Sequence, residues 1–337
     1  MPRIKQAVIG DLHLGVLHRL IPNHLALQIH TLHFIMKRVV DEGIQQVVLL
    51  GDNFDSPVVA IEIVKALLAF VNTYPDVTFR WIVGNHDRVS LDGESYVDLI
   101  SYITETGGCS NLNMVLEPER DGVVCYMPYP HNKALPKTKI AFGHCDAPNA
   151  VRDNGSPIHT DVEWDKKIIW VIGHNHTKQR PSKRIWYPGT PWQVSFGEKP
   201  DKEWAIVEYE TDPAKPLAFK YTGIPIPLPY TLLNVTIDKI SDLKKLKPAP
   251  FYYKLKIEDG VVLPKDFLAT HSNCQLRNRV MQRIEVQASD EETADDAPAI
   301  TLDYKLEDFL VSKGLNEKQA RLGLKMVQPL IRKLHLA

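Results

Sequence analysis

Five short segments carry side chains suited to holding metal ions: Asp11-Leu12-His13 in GDLHLG, Asp52 in GDNFD, Asn85-His86-Asp87 in GNHD, His144 in GHCD, and His174 with His176 in GHNH. Each opens on a glycine, which permits a tight turn that aims the next side chain off the end of a strand. Together they offer carboxylate, amide and imidazole groups. That mixture suits manganese, iron or zinc better than calcium. No cysteine joins a ligand pattern, which argues against a structural zinc site. The chemistry such a set can support is phosphodiester hydrolysis. That reaction needs a nucleophile at neutral pH and a sink for negative charge, and two divalent ions about 3.5–4 Å apart supply both. Two cations held so close repel each other unless a carboxylate is shared between them. Taken singly, a histidine at a strand end is commonly structural and an aspartate after glycine is commonly a turn residue. Five such segments in one chain outweigh that reading.

The elements that must position these groups are read from periodicity. Ile4–Ile9, Gln46–Leu50, Thr78–Val83, Lys139–Phe142 and Ile168–Ile172 are short, apolar and rich in β-branched residues, which predicts buried strands. Leu25–Val40 and Ala60–Asn72 carry apolar residues at helical spacing, and Glu94–Glu105 gives a weaker helix stopped by Gly107-Gly108. Strands alternating with helices predict an α/β core. Each motif follows a predicted strand, and open α/β sheets bind their ligands at the carboxyl ends of strands. The chemistry is therefore expected on one edge of the molecule.

Beyond about residue 220 the pattern changes. Pro225, Pro227 and Pro229 alternate with apolar residues and read as an extended linker. A smaller unit follows, with strands expected at Thr231–Ile237, Phe251–Ile257 and Arg279–Val286. Ser289–Pro298 is an acidic run without an apolar anchor and reads as flexible. Thr301–Ala337 is helical in pattern. Leu302, Leu306, Phe309 and Leu310 line one stripe, and Ala320, Leu324, Val327, Ile331 and Leu334 line a second, which Pro329 kinks. The expected division is a metal-site domain over 1–222, a cap over 223–288, a linker over 289–300 and C-terminal helices over 301–337.

Composition sets the remaining bounds. With 337 residues, the chain can bury a large core without staples. Cys109, Cys125, Cys145 and Cys274 lack zinc-knuckle spacing and read as small buried residues in a reducing compartment. There is no apolar run long enough to span a membrane and no secretory leader pattern, so a cytoplasmic protein is expected. A net charge of −1 means that any nucleic-acid contact must come from local basic patches.

The order DxH…GDxxD…GNHD…GH…GHxH resembles the calcineurin-like metallophosphoesterase superfamily. Within it, Asp-x-His-Leu-Gly and the later Tyr187-Pro188-Gly189-Thr190-Pro191-Trp192, followed by Ser195-Phe196-Gly197-Glu198, are similar to the SbcD-type, meiotic-recombination-eleven-like DNA nucleases of bacteria and phages. The likeness covers about residues 4–198. It implies a four-layer α/β/β/α sandwich with a small α/β cap and a C-terminal helical pair. It implies that Asp11, His13 and His176 hold one metal, that Asn85, His144 and His174 hold another, and that Asp52 bridges them. His86 would contact the scissile phosphate as a catalytic group, with Asp87 orienting it. Two Mn2+ ions are implied, with Mg2+ as the alternative.

The same resemblance implies 3′-to-5′ exonuclease action on duplex DNA and endonuclease action on single strands. It implies a homodimer bound to an SbcC-type coiled-coil ATPase in DNA repair, recombination or replication, in a bacterial or phage-infected cell. Arg88, Lys178, Arg180, Lys183 and Arg184 are candidate phosphate contacts, the last four in one loop after GHNH. Arg277, Arg279 and Arg283 have an ordinary surface reading. The alternatives are another branch of the superfamily, a protein phosphatase or nucleotide pyrophosphatase, or a DNA-binding subunit with a decayed site. Protein phosphatases of this superfamily typically continue Gly-Asp with Val-Asp-Arg-Gly, whereas Asn53-Phe54-Asp55-Ser56 stands here.

Overall fold

The computed structural model describes residues 3–17, 20–88, 95–130, 138–152, 155–160, 164–212, 214–258 and 260–277. The chain opens with β1 (Arg3–Ile9), α1 (His24–Asp41), β2 (Gln46–Leu49), α2 (Ile61–Asn72), β3 (Thr78–Ile82), α3 (Tyr96–Glu105) and β4 (Leu112–Val115). These strands lie parallel, as helical crossovers require. Further on come β5 (Glu119–Asp121), β6 (Val124–Met127), β7 (Ile140–His144), β8 (Ile169–Gly173), β9 (Gln179–Ser182), β10 (Ile185–Tyr187), β11 (Glu203–Glu210) and β12 (Phe219–Pro225). β11 returns to pair antiparallel with β1 and carries β12 on its outer edge. The result is two six-stranded sheets, ordered β12-β11-β1-β2-β3-β4 and β5-β6-β7-β8-β10-β9.

Alternation along β1 shows how the layers form. Ala7 and Ile9 join a core with Leu32, Ile35, Val39, Leu67 and Val97 from the helices. Val8 points the other way, into a core with Val48, Ile82, Tyr126, Phe142 and Val171 from both sheets. The sheets therefore pack face to face, and the inner strands β2, β6, β7 and β8 are apolar on both faces and buried along almost their whole length. On the outer face of the second sheet, Ala141, Trp170 and Ile172 are covered by Cys145, Ala147, Ala150 and Ile158. Those covering residues lie in turns and irregular backbone where described, so among the described residues helices cover only the first sheet. The α/β sandwich expected from the sequence is present.

A third sheet follows, with parallel strands in the order β13 (Thr231–Ile237), β14 (Phe251–Ile257), β15 (Cys274–Leu276). Its third strand ends before the one expected at 279–286, which lies outside the described residues. So do the acidic linker and the C-terminal helices. The sheet has its own small core of Ile237, Tyr253, Leu255, Phe267 and Cys274. Leu232 and Tyr252, on its opposite face, instead join the main core. The proline run 225–229 is part of this junction, with Ile226 buried and its N–H donated to the Lys202 carbonyl. All four cysteines are buried and unpaired. No helix among the described residues is long and apolar enough to cross a membrane.

Candidate metal centre

The parallel strands of the two sheets end on one edge. Asp11, Asp52 and Asn85 follow β1, β2 and β3, His144 closes β7, and His174 follows β8. The backbone there is tight. A Cβ on Gly84 would come within 2.2 Å of the Asp52 Oδ1, so only glycine lets the third motif pass the second. His13, Asp52 and His174 have positive φ values of 41°, 48° and 93°. A non-glycine residue in such a conformation costs about 1–3 kcal/mol, and needs its surroundings to hold it. Here the His13 N–H donates to the Asp52 carbonyl (2.9 Å), the His86 N–H to Asp52 Oδ1 (2.7 Å) and the His174 N–H to Asp11 Oδ1 (2.7 Å). Gln28, reaching from α1, accepts from the Gly15 N–H and donates to the His13 carbonyl.

Two clusters share Asp52. In the first, ligand atoms of Asp11, His13 and Asp52 lie within 4.8 Å of one another. His13 Nε2 is 3.1 Å from His176 Nε2. In the second, ligand atoms of Asp52, His144 and His174 lie within the same limit. Asn85 Oδ1 completes it, at 2.9 Å from His144 Nε2 and 2.8 Å from His174 Nδ1. His144 Nδ1 donates to the Leu50 carbonyl at 2.8 Å, so Nε2 is the nitrogen that faces Asp52 and Asn85 and, in the neutral ring, the one that carries the lone pair. The structure thus brings Asp11, His13, Asp52, Asn85, His144, His174 and His176 together.

This arrangement fits divalent cations, because acceptors converge on acceptors. Asp11 Oδ2 is buried and has no hydrogen-bond donor, a costly state for a carboxylate oxygen. The charge balance says the same. Burial lowers the proton affinity of His144, but the carboxylates of Asp52 and Asp11 outweigh it and lift the imidazole to about 9. Burial, together with the charge on His144, holds His174 down at about 3. One proton and a cation are therefore alternative ways of neutralising the same carboxylates, and binding the cation displaces the proton.

His86 stands at the rim. It is exposed, and its Nδ1 lies 2.9 Å from the Asp55 carbonyl, which can only accept. Nδ1 therefore donates, and Nε2 is the ring nitrogen left without a partner in that bond. The Asp55 carboxylate lies 3.3 Å from His13 Nδ1, so one residue of GDNFD steadies two histidines. Asp87 requires a correction. It is fully buried and does not orient His86. Its carboxylate accepts from the N–H groups of Phe54 (3.0 Å) and Gly84 (2.9 Å) and from the Trp81 indole (3.2 Å). It ties the GNHD turn to the GDNFD turn. Burial, then the nearby Asp52 charge, pushes its carboxyl up to about 6.

The basic candidates also need correcting, because residues 179–187 form a hairpin and not a loop. β10 runs parallel to β8, so its start lies beside the start of β8, at the sheet edge away from His174. The Arg184 carbonyl accepts from the Trp170 N–H there, and the Arg184 guanidinium donates to the Lys167 carbonyl. Lys183 sits at the same tip. Arg180 lies over the Trp186 ring at 4.6 Å, and Lys178 is engaged by Asp201 at 2.7 Å and Glu203 at 3.3 Å. Arg88 directly follows the GNHD turn and is half-buried.

Sequence reasoning assigned no role to Glu198 or Lys202. The Glu198 carboxylate lies 3.1 Å from His176 Nδ1 and pairs with Lys202 at 2.6 Å. Burial works against its charge, but the hydrogen bond to His176 and the charge of Lys202 hold it down at about 2. The signal that could have exposed it was the Ser195-Phe196-Gly197-Glu198 run itself.

Known proteins share parts of this chain. A viral protein named "Putative phosphoesterase 244L", from Invertebrate iridescent virus 6, is 50% identical over 40 residues, 12% of this chain. The match spans 14% of that relative's length. A crystal structure of a dimetal phosphatase from Danio rerio aligns with a TM-score of 0.39 and 10% identity, over 66% of this chain and 99% of that one. The sequence model of the calcineurin-like phosphoesterases matches residues 4–224, the span of the two sheets and the clustered ligands, and the chain belongs to that family.

Proposed function

We propose that this phosphoesterase is a DNA nuclease, the hydrolytic subunit of an SbcCD-like repair or recombination complex. Asp11, His13 and His176 would hold one divalent cation, Asn85, His144 and His174 a second, and Asp52 both. Manganese suits the mixed oxygen and imidazole set, with magnesium as the alternative. Such cations supply positive charge for the phosphorane-like transition state and make water nucleophilic at neutral pH. The chain's own groups do the rest. Asp52 keeps the two positions close. His86, with Nδ1 held by Asp55, presents Nε2 to a phosphate at the rim, where it can stabilise charge and protonate the leaving oxygen.

The observation that favours DNA over a smaller phosphoester is a groove of about 630 Å³ between the third sheet and the segments that follow His13 and precede Glu198. Its near wall includes Val16, Leu17 and Phe196, from the segments that bear His13 and Glu198. Its far wall is the third sheet, where Asn234, Lys254 and Gln275 stand in register across all three strands. Arg277 follows on the same wall. A row of amides and cations opposite an apolar wall that carries one aromatic ring, Phe196, suits a polyanion with apolar faces. By the resemblance, the action is 3′-to-5′ on duplex ends and endonucleolytic on single strands, in a homodimer with a coiled-coil ATPase.

The test is manganese-dependent cleavage of end-labelled duplex and single-stranded DNA by the full chain, beside hydrolysis of a small chromogenic phosphodiester. Cleavage of DNA is expected. Hydrolysis of the small diester with DNA left intact would move the protein to another branch of the family.

A further inference from the structure

We infer that the buried Glu198–Lys202 pair is a positioning device for His176, fixing both the place of its ring and which of its nitrogens faces the metal centre. The inference rests on the metal-centre reading above and adds residues to it. Glu198 is 0% and Lys202 3% exposed at the side chain. A buried ion pair is weak evidence of a stabilising role, since apolar residues of similar volume do as well or better. Its surroundings show what it does instead. Lys202 Nζ donates to Glu198 Oε2 (2.6 Å), to Thr190 Oγ1 (2.6 Å) and to the backbone carbonyl of His176 (3.2 Å). Glu198 Oε2 also accepts from the Val194 N–H at 3.2 Å. Oε1 is thereby turned to His176 Nδ1, at 3.1 Å. The two side chains grip His176 at two points, ring and carbonyl.

The chemistry follows from what a carboxylate can do. It only accepts, so His176 Nδ1 must carry the proton and donate. Nε2 is then the bare nitrogen, and it is the atom that faces His13 Nε2 at 3.1 Å. A partner of this kind behind a ligating histidine sets its tautomer and orientation. The pair is itself held from the third sheet. Gln193 donates to the Glu198 carbonyl and exchanges hydrogen bonds with both backbone groups of Leu232.

Glu198→Gln changes one atom and separates positioning from packing. With Lys202 in place, the amide must turn its oxygen to the ammonium and its NH2 to His176 Nδ1. That forces the proton onto Nε2 and blocks the ligand atom. In Glu198→Gln/Lys202→Met the amide is released from the ammonium, and its oxygen can return to His176.

The experiment is calorimetric titration of the metal-free full chain with Mn2+ alone, for wild type and both variants. Nitrogen-15 NMR of labelled histidines is run alongside. Wild type is expected to bind two ions, with His176 in the Nδ1–H form. E198Q is expected to weaken one site roughly ten- to hundredfold and leave the other unchanged, with His176 in the Nε2–H form. The double variant should recover part of the affinity and show both tautomers. Wild-type affinities at both sites in E198Q would overturn the inference. If E198Q does not fold, the double variant decides alone, and wild-type affinity at both sites with His176 in the Nε2–H form would overturn the inference. Binding of fewer than two ions by wild type would overturn the metal-centre reading, and this inference with it.

Discussion

Asp52 and His86 are one hydrogen bond apart, yet their loss should have different consequences. Asp52 is the shared member of both ligand clusters. Asp52→Asn removes the charge that lets two cations approach, so activity should vanish and metal content should fall, as read by elemental analysis. His86 belongs to neither of the clusters that share Asp52, and its Nδ1 is committed to the Asp55 carbonyl. His86→Ala should keep both metals and lose activity by about 10²- to 10⁴-fold, the usual worth of a positioned acid–base group. Metal loss in that variant would place His86 among the ligands. Asp87 should behave differently again. Three buried donors point at its carboxylate. Asp87→Ala should lower stability by about 1–3 kcal/mol, from donors left unpaired, and the fraction still folded should bind metal normally. Ligand types were legible because each motif that bears them opens on a glycine. The role of Asp87 was not, since adjacency to His86 in sequence says nothing of where a buried carboxylate points.

At the scale of elements, the sequence patterns predicted β1, β2, β3, β7 and β8 and the three helices α1 to α3 to within two residues at each end, because buried segments leave a plain apolar run. β4, β5, β6 and β9 to β12 were missed. β9 is mostly polar, β12 alternates polar with apolar residues, and both carry proline, a pattern that reads as loop. That miss had a functional cost. Treated as a loop after GHNH, residues 178–184 read as candidate phosphate contacts, whereas the hairpin carries Lys183 and Arg184 to the far edge of the sheet. Lys254 and Arg277, ordinary in sequence, become neighbours of the centre's segments only once the third sheet is folded against the core. DNA binding should therefore respond to one pair and not the other. Lys254→Ala/Arg277→Ala should weaken duplex binding and reduce the salt slope by nearly two, at about 0.9 for each phosphate no longer neutralised. Lys183→Ala/Arg184→Ala should leave both unchanged. Equal effects from the two double variants would remove the groove from the DNA path.

For the whole molecule, the question is what the last forty residues are for. Residues 3–277 bury four apolar clusters of their own, and the third sheet is tied to the main core through Leu232, Tyr252 and the hydrogen bonds of Gln193. The sequence after residue 277 supplies a ten-residue acidic run and then two amphipathic stripes, at Leu302–Leu310 and Ala320–Leu334, that lie outside the described residues. Two helices of that length bury little surface on each other and are marginal as a free unit. An apolar stripe laid on another protein's surface resolves the mismatch, and the proposed coiled-coil ATPase is the partner that such a hydrolytic subunit needs. A chain ending at Pro298 should then keep its circular dichroism, its two manganese ions and its cleavage of the small diester, and should fail to retain the ATPase in a pull-down. Retention of the ATPase by the shortened chain would place the docking surface on the phosphoesterase domain. Loss of the folded signal would mean that the terminal stripes belong to the core.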